Sequence, residues 1–128
     1  MTRTIRLGAL VLLTAAAGCG GGGGASQLRL DDPTGRGPVA LKPGQQLVVS
    51  LAVNHGIGTD WVIGPRPAAA VLRYRGAAYH PHGRQLPGSG GSERFVFDAR
   101  ARGEAHAVFL HYFRGKLTGR RDLRIVVK

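Results

Sequence analysis

Apolar and polar side chains alternate along residues 47–53, which read LVVSLAV. This period of two is typical of a strand with one buried face, made here by Leu47, Val49, Leu51 and Val53. The pattern is then interrupted by Asn54, Gly56 and Gly58, residue types that tolerate the positive φ of turns. Trp61 returns the chain to an apolar register. We therefore predict a strand, a displayed loop and a second strand.

Further short apolar stretches are separated by turns rich in glycine and proline. They predict strands at residues 27–30, 39–41, 61–63, 69–74, 93–99, 105–112 and 122–127. Residues 83–92 and 114–121 are interpreted as connecting loops, the second of them basic. No window after residue 18 keeps a helical period. The predicted fold class is an all-β, immunoglobulin-like β-sandwich of about seven strands.

The 128 residues are enough for one compact domain, and their formal charge is +11. Without Arg3 and Arg6, which lie in a segment that we expect to be removed, the charge falls to +9. Such a charge is typical of solubility in an arginine-rich proteome, and it also suits attraction to an acidic surface. No recognition helix and no aromatic-interleaved basic patch is evident. We therefore expect no nucleic-acid partner. We also expect the protein to be a monomer.

The first 18 residues have the organisation of an export signal. Arg3 and Arg6 precede an apolar stretch, residues 7–17, that is too short to span a membrane. The segment ends in Ala-Ala-Gly before Cys19, which resembles the lipobox of bacterial lipoproteins. The resemblance implies that Cys19 carries a lipid and holds the protein in the cell envelope, on the extracytoplasmic side of a membrane. An ordinary secretory signal with an incidental cysteine is the alternative.

The leader, the tether and the folded part divide the chain into three predicted regions. Residues 1–18 form the signal peptide, 19–26 the lipidated cysteine and a glycine-rich linker, and 27–128 the sandwich domain. A run of five glycines, residues 20–24, behaves as a flexible tether because it has no side chains to bury. It is not a phosphate-binding loop, since neither a strand nor a Lys-Ser/Thr pair flanks it.

Catalytic chemistry is hard to place in this sequence. The one cysteine is at the lipid anchor, and the one adjacent pair of carboxylates, Asp31 and Asp32, lies in a turn. His80 and His82 make a two-residue set without a third ligand, which is poor for zinc. His55 is interpreted as a surface group of the displayed loop. We therefore expect a binding module without cofactor or metal, and not an enzyme.

Three loop motifs nevertheless occur in this chain in an order that is known from other proteins. Asn54, Gly58 and Trp61 stand in NHGIGTDW, residues 88–91 read Gly-Ser-Gly-Gly, and Arg114 follows Tyr-Phe. With these motifs the chain resembles the chagasin family, immunoglobulin-like inhibitors of papain-type cysteine peptidases. The family has Asn-Pro-Thr-Thr-Gly-Tyr-Trp, Gly-x-Gly-Gly and Arg-Pro-Trp in its three loops. The resemblance covers residues 28–127.

The resemblance implies that three loops at one end of the sandwich fill a peptidase cleft without covalent chemistry. It assigns the peptidase contact to Asn54, Gly58, Thr59, Asp60, Trp61, Gly88, Ser89, Gly90, Gly91, Arg114, Gly115 and Lys116. The implied partner is a papain-like cysteine peptidase.

Some family residues are replaced in this chain. The first loop lacks Pro-Thr-Thr, Asp60 stands where the family has an aromatic ring, and the third loop lacks Pro-Trp. Trp61 as a core residue and residues 88–91 as a plain hairpin connection therefore remain alternatives. The alternative function is a non-inhibitory, lipoprotein binding module of the envelope on the same scaffold.

Overall fold

The computed structural model describes residues 26–33, 35–83 and 88–128. In this part of the chain there are eight strands and one 3₁₀ turn, His55–Ile57. The strands are β1 (Gln27–Asp31), β2 (Val39–Leu41), β3 (Gln46–Val53), β4 (Thr59–Ile63), β5 (Leu72–Pro81), β6 (Gly91–Ala99), β7 (Gly103–Phe113) and β8 (Lys116–Val127). The predicted signal peptide, Cys19 and the glycine run lie outside the described residues.

The eight strands form two four-stranded sheets. One has the order β1-β3-β6-β5 and the other β2-β8-β7-β4. β1 runs parallel to β3 and β2 parallel to β8, while the other pairs are antiparallel. The chain changes sheet at every connection from β1 to β5 and again between β6 and β7. This arrangement confirms the predicted all-β sandwich, with eight strands where the sequence indicated about seven.

The core lies between the sheets and follows the predicted alternation. All four apolar residues of the inner face of β3 are buried: Leu47, Val49, Leu51 and Val53. Phe109 of the second sheet packs edge-on against Phe95 and Phe97 of the first, with ring centroids 4.9 and 6.1 Å apart. Because truncating a buried Phe costs about 3–5 kcal/mol, these three rings are a main link between the sheets.

Two predicted elements differ most from the structure. β8 begins at Lys116, so most of the stretch predicted as a basic loop, residues 114–121, is strand paired with β7. β5 begins at Leu72 and extends to Pro81, beyond the predicted residues 69–74. Both extensions are held by backbone pairing with a neighbouring strand, and most of their side chains are exposed. An alternation of buried and exposed residues therefore does not mark them in the sequence.

No helix in the described part of the chain is long and apolar enough to cross a membrane.

Candidate functional site

Strand pairing places three connections at the same end of the sandwich. We name them loop 1 (residues 54–58, between β3 and β4), loop 2 (residues 82–90, between β5 and β6, with 84–87 outside the described part) and loop 3 (residues 114–115, between β7 and β8). Val53 and Pro81 both pair with Gly91, and Thr59 pairs with Phe113. The loops singled out in the sequence therefore begin and end side by side.

Asn54 connects loop 1 to loop 2. Its side-chain Oδ1 accepts a hydrogen bond from the Gly56 amide at 3.0 Å, and its Nδ2 donates to the Gly88 carbonyl at 2.9 Å. The hydroxyl of Thr59 accepts from the Asn54 amide at 2.7 Å and donates to the Asn54 carbonyl at 3.0 Å, which closes the base of loop 1. Asn54 and Thr59, which the family resemblance assigned to peptidase contact, thus use their polar groups to shape the loops.

Gly58 connects loop 1 to loop 3. Its carbonyl accepts a hydrogen bond from the Arg114 amide at 2.8 Å. Its φ is +90°, and a Cβ added there would lie 2.9 Å from Cγ of Arg114. Glycine is required at this position by both the left-handed backbone and the close approach of the neighbouring loop.

Loop 3 is a two-residue hairpin turn. Arg114 and Gly115 both have positive φ, 49° and 78°. Positive φ at both central residues is typical of a type I′ turn, whose twist matches that of the flanking strands. The Arg114 guanidinium lies 5.2 Å from the ring centroid of Phe113, and Lys116, the first residue of β8, is exposed. A positive charge and an aromatic ring are therefore displayed together.

The glycines of loop 2 serve different purposes. Gly88 has a φ of +80° with open space around it, and the Gly90 carbonyl accepts from the His82 amide at 3.1 Å. Ser89 is half-buried. Gly91 is buried at the start of β6, where a Cβ would lie 2.5 Å from the ring of Tyr79. Gly91 therefore keeps β5 and β6 close together, which gives it a packing role.

Trp61 lies in the core, the structural alternative that the sequence left open. Its side chain is 9% exposed and packs in the main apolar cluster. The indole Nε1 donates to the Ala52 carbonyl at 3.1 Å, and the His111 ring lies 4.7 Å away by centroids. Trp61 thus links β4 to β3 beneath loop 1. Little of its surface is available to a partner.

Asp60 lies beside a histidine and a second carboxylate. His55 Nε2 is 3.4 Å from Asp60 Oδ1, and the His55 ring stacks on Tyr79 with centroids 4.6 Å apart. Glu93 of β6 completes the group. Burial, followed by the charge of Asp60, raises the pKa of Glu93. The pattern of the sequence did not show this group, because its members come from three separate elements.

The remaining histidines do not join this group. His82 Nε2 lies 2.8 Å from the Ser92 hydroxyl, and His111 Nδ1 lies 2.8 Å from the Thr118 hydroxyl. His106 is 3.3 Å from Glu104. Among the described residues, neither His80 nor His82 belongs to a cluster of three metal-ligating side chains.

The exposure of several large apolar side chains at this end was not predicted from the sequence. Ile57 of loop 1 is 53% exposed, Phe113 before loop 3 is 41% exposed, and Leu117 after it is 56% exposed. Val62 on β4 is the other large hydrophobic residue exposed in the described part of the chain. A signal was available: Ile57 stands between two glycines and Phe113 adjoins a turn, positions that a two-sheet core does not bury.

The three loops lie in a part of the chain that matches a known protein family. Residues 40–125, which include all three loops, match the family described as chagasin family peptidase inhibitor I42. The chain belongs to this family. The predicted resemblance is thereby confirmed, and the chain is assigned to the peptidase inhibitors and not to the enzymes. Comparison with curated proteins gives no match.

Three solved structures share the fold. The cysteine protease inhibitor EhICP2 from Entamoeba histolytica aligns with a TM-score of 0.65 at 10% identity, over 81% of this chain and 97% of that one. Amebosin aligns at 0.60 and 19% identity, over 82% and 100%. PbICP-C, solved in complex with falcipain-2, aligns at 0.57 and 15% identity, over 81% and 91%. At these identities the likeness concerns the fold.

Proposed function

We propose that this chain inhibits papain-type cysteine peptidases by inserting loops 1, 2 and 3 into the active-site cleft. The observation that carries the proposal is the direct hydrogen bonding of loop 1 to both other loops, in a member of a peptidase-inhibitor family. Two relatives by fold point to the same class of target: EhICP2 is a cysteine protease inhibitor, and PbICP-C was solved with falcipain-2.

The bonds between loops favour inhibition by a preformed surface. Asn54 holds Gly88 and Gly58 holds Arg114, so loop 1 restrains loop 3 and the described C-terminal part of loop 2. Loops already ordered on a rigid scaffold lose little conformational entropy on binding. The mechanism we propose is steric and non-covalent: the loops occupy the cleft and exclude substrate.

The contacts we propose differ from those that the sequence suggested. Ile57, Phe113 and Leu117 supply exposed apolar surface at the loop end, and Arg114 supplies a charge above Phe113. Interface energy is concentrated in a few large side chains that become buried in the complex. We propose that these side chains take the place of the family's missing Pro-Trp, with Trp61 supporting them from the core.

Location is the second part of the proposal. Its support is the sequence alone: an export signal that ends before Cys19, the only cysteine of the chain. We propose lipid attachment at Cys19 in the bacterial envelope, with the glycine run as the tether. Changing Cys19 to Ser should release the protein from membranes, while the unchanged chain stays with them in a fractionation experiment. Release of both forms would contradict the anchor.

Inhibition kinetics test the proposal. The full chain, kept in detergent, is titrated against papain at several substrate concentrations. We expect competitive inhibition, because loops in the cleft and substrate exclude each other. The absence of inhibition at micromolar protein would contradict the proposal.

A non-inhibitory binding module of the envelope is the second candidate. Asp60 in place of the family's ring and the burial of Trp61 favour it, because both reduce the aromatic surface that loop 1 displays. A predicted charge of +9 suits an acidic envelope component. A pull-down that returns no peptidase, with capture weakened by salt, would favour this candidate over inhibition.

A further inference from the structure

Three metal-ligating side chains of different types meet beside loop 1. His55 comes from the 3₁₀ turn, Asp60 from β4 and Glu93 from β6. One ligand atom from each lies within 4.8 Å of the other two, and the distance from His55 Nε2 to Asp60 Oδ1 is 3.4 Å. Two ligand atoms of a tetrahedral zinc ion lie about 3.3 Å apart, given bond lengths near 2.0 Å. The distance between His55 and Asp60 matches this spacing, and a ligand atom of Glu93 lies within 4.8 Å of both.

The position of Glu93 makes this group more than a patch of surface charge. Glu93 precedes Phe95 by two residues, so it lies on the core-facing side of β6, and it is partly buried. In the described part of the chain, no lysine or arginine forms an ion pair with Asp60 or Glu93. The side chains of His55 and Asp60 are about half exposed, 47% and 50%, so the group is open to ions from solvent. Two carboxylates this close repel each other, and a cation near both relieves the repulsion.

His55 is oriented toward this pair. Its ring stacks on Tyr79 of β5, with centroids 4.6 Å apart and planes at 30°. The stack leaves Nε2 next to Asp60. An imidazole nitrogen restrained by packing is better prepared to bind a metal than one on a freely rotating side chain.

We propose that His55, Asp60 and Glu93 bind a divalent transition-metal ion of the zinc class. One imidazole nitrogen and two carboxylate oxygens make three ligands of the kinds that zinc takes, and water would complete a tetrahedral set. Calcium is a poor fit, because it requires six to eight oxygen ligands. The bound ion would join the 3₁₀ turn of loop 1 to both sheets. The proposal stands apart from peptidase inhibition.

Calorimetric titration tests the site directly. The full chain is used with Cys19→Ser, so that the thiol cannot contribute a ligand, and ZnCl₂ alone is titrated in a buffer that does not bind zinc. We expect one saturable site. Glu93→Gln and Asp60→Asn, which keep side-chain shape, should each weaken it at least about tenfold. His82→Gln is the matched control, because His82 is a histidine of loop 2 outside the proposed site, and it should leave the zinc affinity unchanged.

A second measurement guards against a variant that has lost its fold. Zinc should raise the thermal midpoint of the parent and of His82→Gln, and at the same zinc concentration it should raise those of Glu93→Gln and Asp60→Asn less. Calcium should have no effect on any of them. The absence of saturable binding to the parent would overturn the proposal. So would equal zinc affinity in the parent, Glu93→Gln and Asp60→Asn, since the ion would then bind elsewhere.

Discussion

The two ends of the sandwich are held in similar ways and display different side chains. At the loop end, Gly58 and Arg114 share a 2.8 Å backbone hydrogen bond. At the opposite end, the Gly44 amide donates to Ala99 and the Arg100 amide to Val71, both at 2.8 Å. Backbone hydrogen bonding between neighbouring connections therefore does not distinguish the two ends.

Exposed apolar surface does distinguish them. Ile57, Phe113 and Leu117 lie at the loop end. In the described connections of the opposite end, residues 42–45, 64–71 and 100–102, no large apolar side chain is exposed. A well-ordered turn is common to both ends, and the displayed side chains make one of them suitable for binding a protein.

The largest effect on inhibition is expected from placing a negative charge at each end of the sandwich in turn. Phe113→Asp removes an exposed ring from the loop end, while Ala101→Asp adds the same charge at the opposite end. We expect Phe113→Asp to weaken inhibition of papain at least about 30-fold, the equivalent of 2 kcal/mol, and Ala101→Asp to leave it unchanged. Equal inhibition constants for the two variants would remove the distinction between the ends.

Two glycine substitutions distinguish the stability contributed by the contact between loops 1 and 3 from the cost of placing alanine at a positive φ. Gly58→Ala and Gly115→Ala both force alanine into positive φ, which costs about 1–2 kcal/mol. A Cβ at Gly58 also meets Arg114, whereas one at Gly115 has open space. We expect Gly58→Ala to lower the free energy of unfolding more, as measured by urea denaturation. An equal loss in both variants would show that the approach of loop 1 to loop 3 has no energetic weight.

Trp61→Phe asks whether this residue supports the loops or contacts the partner. It removes the N–H that donates to the Ala52 carbonyl. We expect a loss of about 1 kcal/mol in the free energy of unfolding and inhibition within about twofold of the parent. A large loss of inhibition without a loss of stability would instead place Trp61 in the interface.

The smallest expected effect lies away from the loops, at an exposed ion pair. The hydrogen bond from Arg124, followed by its positive charge, lowers the pKa of Glu104. A carboxylate with a depressed folded-state pKa stabilises the fold above its unfolded-state pKa, and this contribution is lost as pH falls through the folded-state pKa. Glu104→Gln should slightly reduce the fall in thermal midpoint on the acid side and leave inhibition unchanged. An identical acid-side profile would show that the pair adds nothing.

The sequence predicted the parts of this fold that depend on burial. The alternation around Leu51 predicted β3 because one face enters the core, and the turn residues predicted where strands end. The first half of β8 was not predicted, because it is held by backbone hydrogen bonds to β7, and such pairing leaves no apolar pattern in residues 116–121. The boundary error therefore falls where side chains face solvent.

The candidate site was predictable in part for a related reason. Asn54, Gly58 and Gly91 were identified by residue type, and the structure gives each a defined bond or close contact. The display of Ile57 was missed, because sequence alternation describes what is buried and says little about what is left exposed. The approach of His55 to Glu93 was missed because it depends on how the two sheets meet.

Amide hydrogen exchange of the full chain, free and with papain, shows whether the three loops contact the peptidase together. We predict slower exchange on complex formation in peptides covering loop 1, loop 2 and loop 3, and unchanged exchange in residues 42–45 and 100–102. Protection at the opposite end, or no change in exchange at saturating papain, would contradict this prediction.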